Sequence, residues 1–74
     1  MKILLNSCDA ARPDRRNITA MFEEVADDVD NSLAREYTEY LLDGSTVEIE
    51  VSMNTSSAFR ALRKLQIDYE IIEE

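Results

Sequence analysis

The chain has 74 residues, 45% of them hydrophobic, and eight basic residues against sixteen acidic ones give it a net charge of −8. This length allows one domain with a single small core, and the apolar content is that of a folded chain. The negative charge argues against direct binding to nucleic acid or to an anionic membrane, because both require local positive potential, and it favours a protein partner with a basic surface.

Cysteine content and the absence of a leader pattern indicate the compartment. Cys8 is the only cysteine, so it cannot form an internal disulfide. The sequence shows no charged segment followed by an apolar one, and no long apolar run. We therefore expect a cytoplasmic protein in which residues 1–74 form a single domain. The oligomeric state does not follow from the sequence.

The first half of the chain predicts one strand and two helices. The apolar run at residues 3–5 is typical of a short buried strand. From Ile18 to Leu41 the apolar residues recur at helical spacing, which on its own would allow one long helix. The polar segment 28–32 competes for backbone hydrogen bonds and divides this stretch into two helices. Gly44 is expected to end the second helix in a left-handed conformation.

Polar side chains near the predicted helix starts are candidates for capping. Such side chains accept hydrogen bonds from the first backbone N–H groups of a helix. Asn17 or Thr19 is expected to cap the first helix, and Asn31 or Ser32 the second. Segment 53–57 offers several capping side chains for a third helix.

The second half of the chain predicts strand, helix and strand. Residues 47–51 and 67–71 alternate apolar and polar side chains, while Phe59, Leu62 and Leu65 have helical spacing. The predicted fold is an α+β two-layer sandwich of order βααβαβ, in which a three-stranded sheet carries three helices on one face. The strand order stays open. The other face of the sheet is expected to be acidic and to carry Glu48, Glu50, Asp68 and Glu70.

Four segments of this pattern resemble a known domain. They are "LAREYTEYLLDG" for the second helix, "STVEIEV" for the second strand, "SSAFRALRKL" for the third helix and "IDYEII" for the last strand. Together they resemble the C-terminal domain of the bacterial ribosomal stalk protein, whose fold is shared with the adaptor that delivers N-degron substrates to the Clp protease. The resemblance covers nearly the whole chain, is closest from residue 43 onward, and implies the same fold.

The resemblance also implies two kinds of partner. In the stalk family, lysines on the first two helices meet translational GTPases, whereas the first helix here shows acidic residues from Glu23 to Asp28. In the adaptor family, an asparagine, aspartates and a histidine hold the free amine of a substrate. This chain has Asn6 and Asp9 after its first strand and no histidine. Ribosome or translation-factor binding and degron recognition are therefore hypotheses that follow from the resemblance.

Cys8 and the segment 28–39 are candidates for a reactive site and a metal-binding site, but a purely structural role fits each of them better. Cys8 ends the first strand, where a thiolate would be a nucleophile, yet its activation needs a histidine, a metal or a strong positive field. An inert buried thiol accounts for it. Residues 28–39 have the ligand spacing of a calcium loop, but Leu33 occupies the position that requires glycine, so a helix start is favoured. We predict no catalytic residue, metal or cofactor.

Two charged groups are the candidate partner-binding residues. Glu23, Asp27 and Asp30 are spaced to share one flank of the first helix, and Arg60, Arg63 and Lys64 lie on the outer face of the third. Each group has a structural alternative. For the acidic residues it is a solvated face, and for the basic ones it is pairing with the chain's own carboxylates.

The predicted function is that of a non-enzymatic protein-interaction module. It would act as an adaptor or inhibitor by occupying a surface of a larger complex. The size and acidity of the chain also suit a protein encoded by a phage or another mobile element. The alternative from a different class is an acidic mimic of nucleic acid that antagonises a defence or DNA-binding protein.

Overall fold

The computed structural model describes residues 1–53 and 55–73. Within them the chain folds in the predicted order βααβαβ, and the α+β fold is confirmed. The elements are β1 (Lys2–Cys8), α1 (Arg15–Val25), α2 (Asn31–Leu42), β2 (Val47–Glu50), α3 (Thr55–Lys64) and β3 (Ile67–Glu73).

The sheet has the strand order β2-β1-β3, and the central strand β1 is antiparallel to both neighbours. Ile3 lies opposite Ile49 on one side and Ile71 on the other. Residues opposite each other in an antiparallel pair point to the same face, so these rows define the apolar face of the sheet. Ile3 and Leu5 of β1 are completely buried, which places the core on this face.

The helices cover the apolar face in a single layer. Helix α2 packs on β1 and β2, helix α3 packs on β3, and α1 contacts both α2 and α3. The largest completely buried side chains of the helices include Phe22 of α1, Leu41 of α2 and Leu62 of α3, so each helix contributes to one core. Among residues 1–53 and 55–73, no helix lies on the other face of the sheet.

One buried polar contact lies between α1 and α2. Thr38 is 2% exposed, and its hydroxyl donates to the carbonyl of Ala34 at 2.8 Å. The hydroxyl of Thr19 lies 2.9 Å from that of Thr38. Since a hydroxyl has a single proton, Thr19 donates to Thr38, and the buried threonine is satisfied as both donor and acceptor.

Helix α1 begins earlier than predicted, and Asp14 caps it. The Oδ1 atom of Asp14 accepts from the backbone N–H of Asn17 at 3.1 Å, and its Oδ2 accepts from the Asn17 side chain at 2.7 Å. The predicted caps Asn17 and Thr19 are therefore wrong, because both lie inside the helix. An aspartate is favoured at this place, since its charge also interacts well with the helix dipole.

Helix α2 is also capped by an aspartate. Asp30 Oδ1 accepts from the backbone N–H of Leu33 at 2.9 Å. The predicted caps Asn31 and Ser32 are wrong, because they form the first residues of the helix itself. For α3, the predicted capping segment includes Asn54, which lies outside the described residues.

Gly44 ends α2 as predicted. Its φ is +93°, in the left-handed region. The backbone N–H of Ser45 donates to Tyr40 O at 2.9 Å, and that of Gly44 to Leu41 O at 3.3 Å. This is the Schellman arrangement, in which a left-handed residue lets two N–H groups satisfy the last carbonyls of the helix.

Strand β1 is longer than predicted, because its polar end still pairs with β3. Leu5 lies opposite Tyr69, whereas Ser7 lies opposite Asp68, so the register skips Asn6. An extra residue of this kind is a β-bulge, which lets a strand continue past a local break in its pattern. The apolar run at residues 3–5 therefore covers only the first part of the strand.

Candidate protein-binding surface

The acidic group predicted on one flank of the first helix does not form there. Helix α1 ends at Val25, and Ala26 has an extended backbone. Of the three predicted residues, only Glu23 lies on the helix, while Asp27 and Asp30 lie in the segment that connects α1 to α2. The apolar spacing continued past Val25 because Ala26 and Val29 are also drawn into the core or against it.

Each of these three carboxylates has a local contact. Glu23 Oε1 accepts from the side-chain amide of Asn31 at 2.9 Å. Asp27 Oδ2 accepts from the Ser52 hydroxyl at 2.6 Å, and Asp30 caps α2. These contacts join α1 to α2 and the connecting segment to the residues after β2. A structural role accounts for all three residues, and their role in partner binding stays a prediction.

The basic residues of α3 lie where they were predicted. Arg60, Arg63 and Lys64 are all exposed, on the side of the helix away from the buried Ala58 and Leu62. No ion pair involves any of the three within residues 1–53 and 55–73. The expected pairing with the chain's own carboxylates is therefore not seen among these residues. Their role in partner binding stays a prediction.

The acidic open face of the sheet is confirmed. Leu4 of β1 lies opposite Glu48 of β2 and Glu70 of β3, and these residues point away from the helices. Leu4 is half-buried, whereas both glutamates are exposed. Glu50 and Asp68 extend the same face and are exposed as well. We call this surface the acidic sheet face: Leu4, Glu48, Glu50, Asp68 and Glu70.

The carboxylates of the acidic sheet face differ in their contacts. Glu50 Oε1 lies 3.3 Å from the N-terminal ammonium, and Asp68 Oδ2 accepts from the Asn6 side chain at 3.3 Å. Glu48 and Glu70 take part in no side-chain hydrogen bond or ion pair among the described residues. Lys2 lies opposite Glu50, at the margin of this face, and contributes a positive charge there. The uncompensated negative charge therefore lies around Leu4.

Apolar exposure at the end of β3 was missed by the sequence interpretation. The alternating pattern assigned Ile71 to the buried face, but Ile71 and Ile72 are 49% and 45% exposed. Ile71 does lie in the same row as the buried Ile3, yet β3 is an edge strand, and in the described part of the chain no strand lies along its outer side. Two adjacent isoleucines were the available signal, because consecutive residues of a strand point to opposite faces.

Cys8 and the calcium-like segment have structural surroundings. The Cys8 thiol is half-buried and donates to the carbonyl of Leu65 at 3.6 Å. The predicted helix start within residues 28–39 is confirmed, since Asp30 caps α2 and Leu33 lies in its first turn. No group of three or more metal-binding side chains occurs in the described part of the chain.

The two residues suggested by the adaptor resemblance make separate contacts. Asn6 donates to Asp68, on the acidic sheet face. Asp9 Oδ1 accepts from the Ser7 hydroxyl at 3.1 Å, and the Asp9 backbone N–H donates to Gln66 O at 2.8 Å. Recognition of a free amine by Asn6 and Asp9 stays a prediction.

Comparisons of the chain with protein-family models, with curated proteins and with solved structures found no significant match. Among residues 1–53 and 55–73, no helix has both the length and the apolar character needed to cross a membrane. The resemblance to the ribosomal stalk domain therefore stays a prediction that rests on the sequence pattern.

Proposed function

We propose that this chain is a non-enzymatic protein-interaction module that binds a basic surface of a partner protein through the acidic sheet face. The observation that supports the proposal is the position of Glu48 and Glu70. They are exposed, they lie on either side of Leu4, and they have no side-chain partner among the described residues. The chain would act by occupying a surface of its partner, as an adaptor or an inhibitor does.

The geometry of this face suits lysine and arginine side chains. Adjacent strands are about 4.8 Å apart, so the backbones that carry Glu48 and Glu70 are separated by roughly 10 Å. Two basic side chains of a partner can each approach one carboxylate at that separation. The half-buried Leu4 between them offers an apolar surface for the aliphatic stems of those side chains.

The overall charge supports the same type of partner. A net charge of −8 attracts basic proteins over a distance and raises the rate of encounter. The attraction falls as salt is added, because mobile ions screen exposed charges beyond about 8 Å at physiological ionic strength. We therefore expect association that is fast at low salt and weakens as the salt concentration rises.

A quantitative pull-down tests the proposal. The full chain, a Glu48→Lys/Glu70→Lys variant and a control with the same charge change, Glu24→Lys/Glu36→Lys, are each immobilised. Captured proteins are identified by mass spectrometry, and their affinities are measured. The wild type and the control are expected to capture the same basic partner, while the variant of the acidic sheet face loses it.

Two outcomes would contradict the proposal. Equal capture by all three proteins would show that Glu48 and Glu70 do not contact the partner. Loss of capture with the control as well would show that only the total charge matters. Adding duplex DNA to the captured complex tests the alternative function, because a nucleic-acid mimic occupies the DNA site of its target and is displaced by DNA.

A further inference from the structure

The two edge strands of the sheet differ in how far other segments form hydrogen bonds with their outer sides. Strand β2 has four residues, and the backbone N–H of Asp27 donates to Glu50 O at 2.8 Å, so the segment after α1 covers part of its outer edge. Strand β3 has seven residues. Among the described residues, no backbone hydrogen bond from another element reaches its outer side. An edge of this kind is a template for pairing with another strand.

The hydrogen bonds show which backbone groups of β3 point outward. The Val51 N–H donates to Met1 O at 2.8 Å, so the facing residues Lys2 and Glu50 form a pair without mutual hydrogen bonds. The backbone groups of Lys2 therefore point away from β2, toward β3. Because this direction alternates along β1, the N–H and C=O groups of Leu4 also point toward β3, where by the same rule they bond with the facing Glu70.

The neighbours of Glu70 on β3 must therefore point the other way. The backbone groups of Tyr69 and Ile71 face the outer edge. A hydrogen bond at the other end of β3 agrees with this assignment. Asp9 N–H donates to Gln66 O, so the facing residues Cys8 and Ile67 form a pair without mutual hydrogen bonds. The backbone groups of Ile67 therefore also face the outer edge. The outer edge of β3 thus offers N–H and C=O groups from Ile67, Tyr69 and Ile71.

The side chains along this edge alternate in chemistry. Asp68 and Glu70 are exposed on the acidic sheet face. Tyr69 and Ile71 lie on the other side, where the ring of Tyr69 stacks on Phe59 with ring centres 5.4 Å apart and Ile71 is 49% exposed. A strand added to this edge would meet negative charge on one face and apolar surface on the other.

We propose that the outer edge of β3 accepts an extended segment of the partner as a fourth strand, with lysine or arginine alternating with apolar residues. The inference rests on the proposed function and specifies the part of the partner that binds. Basic residues of the segment would lie opposite Asp68 and Glu70, and apolar residues opposite Tyr69 and Ile71. Main-chain hydrogen bonds provide affinity in this mode of recognition, and alternate side chains provide specificity.

A second copy of the chain fits the edge poorly. An antiparallel pair centred on Tyr69 places Asp68 opposite Glu70, and a pair centred on Glu70 places that residue opposite itself. Like charges directly opposite destabilise a sheet. The net charge of −8 on each copy adds to the repulsion, so a basic segment is the favoured occupant.

The test uses the full chain and a synthetic eight-residue peptide with blocked ends, in which lysine and valine alternate. A second peptide of the same sequence carries N-methyl groups on alternate backbone nitrogens, which removes donors and keeps the charge. We expect the first peptide to bind and to slow hydrogen exchange at the Tyr69 and Ile71 amides. The methylated peptide is expected to bind at least tenfold more weakly.

Variants of the protein give an independent test. Ile71→Pro removes one outward N–H, which an edge strand tolerates, and Ile71→Ala keeps that N–H while shortening the side chain. Provided that the amide spectrum shows an intact fold, we expect at least a tenfold loss of peptide affinity for Ile71→Pro and a smaller loss for Ile71→Ala. Asp68→Asn and Glu70→Gln should each weaken binding by up to about fivefold.

The outcomes separate this inference from the proposed function. If Ile71→Pro and N-methylation leave peptide binding unchanged while Glu48→Lys/Glu70→Lys abolishes partner capture, the edge inference is overturned and the proposed function stands. If partner capture survives Glu48→Lys/Glu70→Lys, the proposed function fails. A dimer of the chain alone that Ile71→Pro abolishes would assign the edge to a second copy and overturn the inference.

Discussion

Glu48 and Glu70 lie in one row of the sheet, each directly opposite Leu4, although they belong to different edge strands. The row exists because β1 lies between β2 and β3 and is antiparallel to both. It brings together two exposed carboxylates from strands that are separated in the chain by helix α3. The acidic sheet face is therefore a property of the fold, and it differs from the basic surface of α3 in both charge and position.

The first prediction compares these two surfaces. Replacing Arg60, Arg63 and Lys64 together by glutamate should leave capture of a basic partner unchanged or strengthen it, because the substitutions add negative charge outside the binding face. Glu48→Lys/Glu70→Lys should weaken capture. Affinities measured at two salt concentrations check this prediction. Loss of the partner in the α3 variant would instead place the binding site on that helix.

The second prediction concerns Asp30. Asp30→Ala removes the side chain that accepts from the Leu33 N–H, so the free energy of unfolding should fall by about 1 kcal/mol. Ser32→Ala is the matched control, because Ser32 is exposed within the first turn of α2, and it should change stability by less than about 0.5 kcal/mol. Urea denaturation measures both. A larger effect at Ser32 than at Asp30 would contradict the assignment of the cap.

Local sequence patterns predicted the elements of this fold well, whereas features that depend on packing between distant residues were not predicted. Alternation at residues 47–51 and helical spacing around Leu62 are local, and each correctly predicted an element. The end of α1 was harder to place, because Val29 continues the apolar spacing after the helix has ended at Val25. There the chain packs against the core without being helical, and spacing alone does not distinguish the two situations.

The acidic sheet face also has a part that local patterns predicted and a part that they did not. Exposure of Glu48 and Glu70 followed from alternation within each strand. Their placement on either side of Leu4 did not, because it depends on the strand order, which is set by contacts between distant parts of the chain. The exposure of Ile71 also depends on the strand order, which makes β3 an edge strand, and the adjacent Ile71 and Ile72 were its local signal.

The third prediction concerns the hydroxyl pair of Thr19 and Thr38. Thr38→Val leaves the Thr19 hydroxyl without its acceptor, so unfolding should become easier by about 1 to 2 kcal/mol. The double variant Thr19→Val/Thr38→Val removes both polar groups. It should therefore be less destabilised than the sum of the two single variants. Denaturation of all four proteins gives the coupling, and strictly additive effects would show that the two hydroxyls do not interact.

The fourth prediction tests the register of β3 in the free protein. The Glu70 amide should exchange its hydrogen slowly, since it bonds with Leu4, whereas the Tyr69 and Ile71 amides should exchange faster because they face the open edge. Hydrogen exchange followed residue by residue by NMR measures this alternation. The Leu4 amide is the internal control, because it belongs to the central strand and should be protected.

Two departures from this pattern are informative. Fast exchange at Glu70 together with slow exchange at its neighbours would mean that the register is shifted by one residue, which would also turn Glu70 away from the acidic sheet face. Slow exchange at Tyr69 and Ile71 with Glu70 still protected would mean that the edge is already paired in the free protein. Repeating the measurement at several protein concentrations separates pairing with a second copy, which strengthens with concentration, from pairing within one chain, which does not.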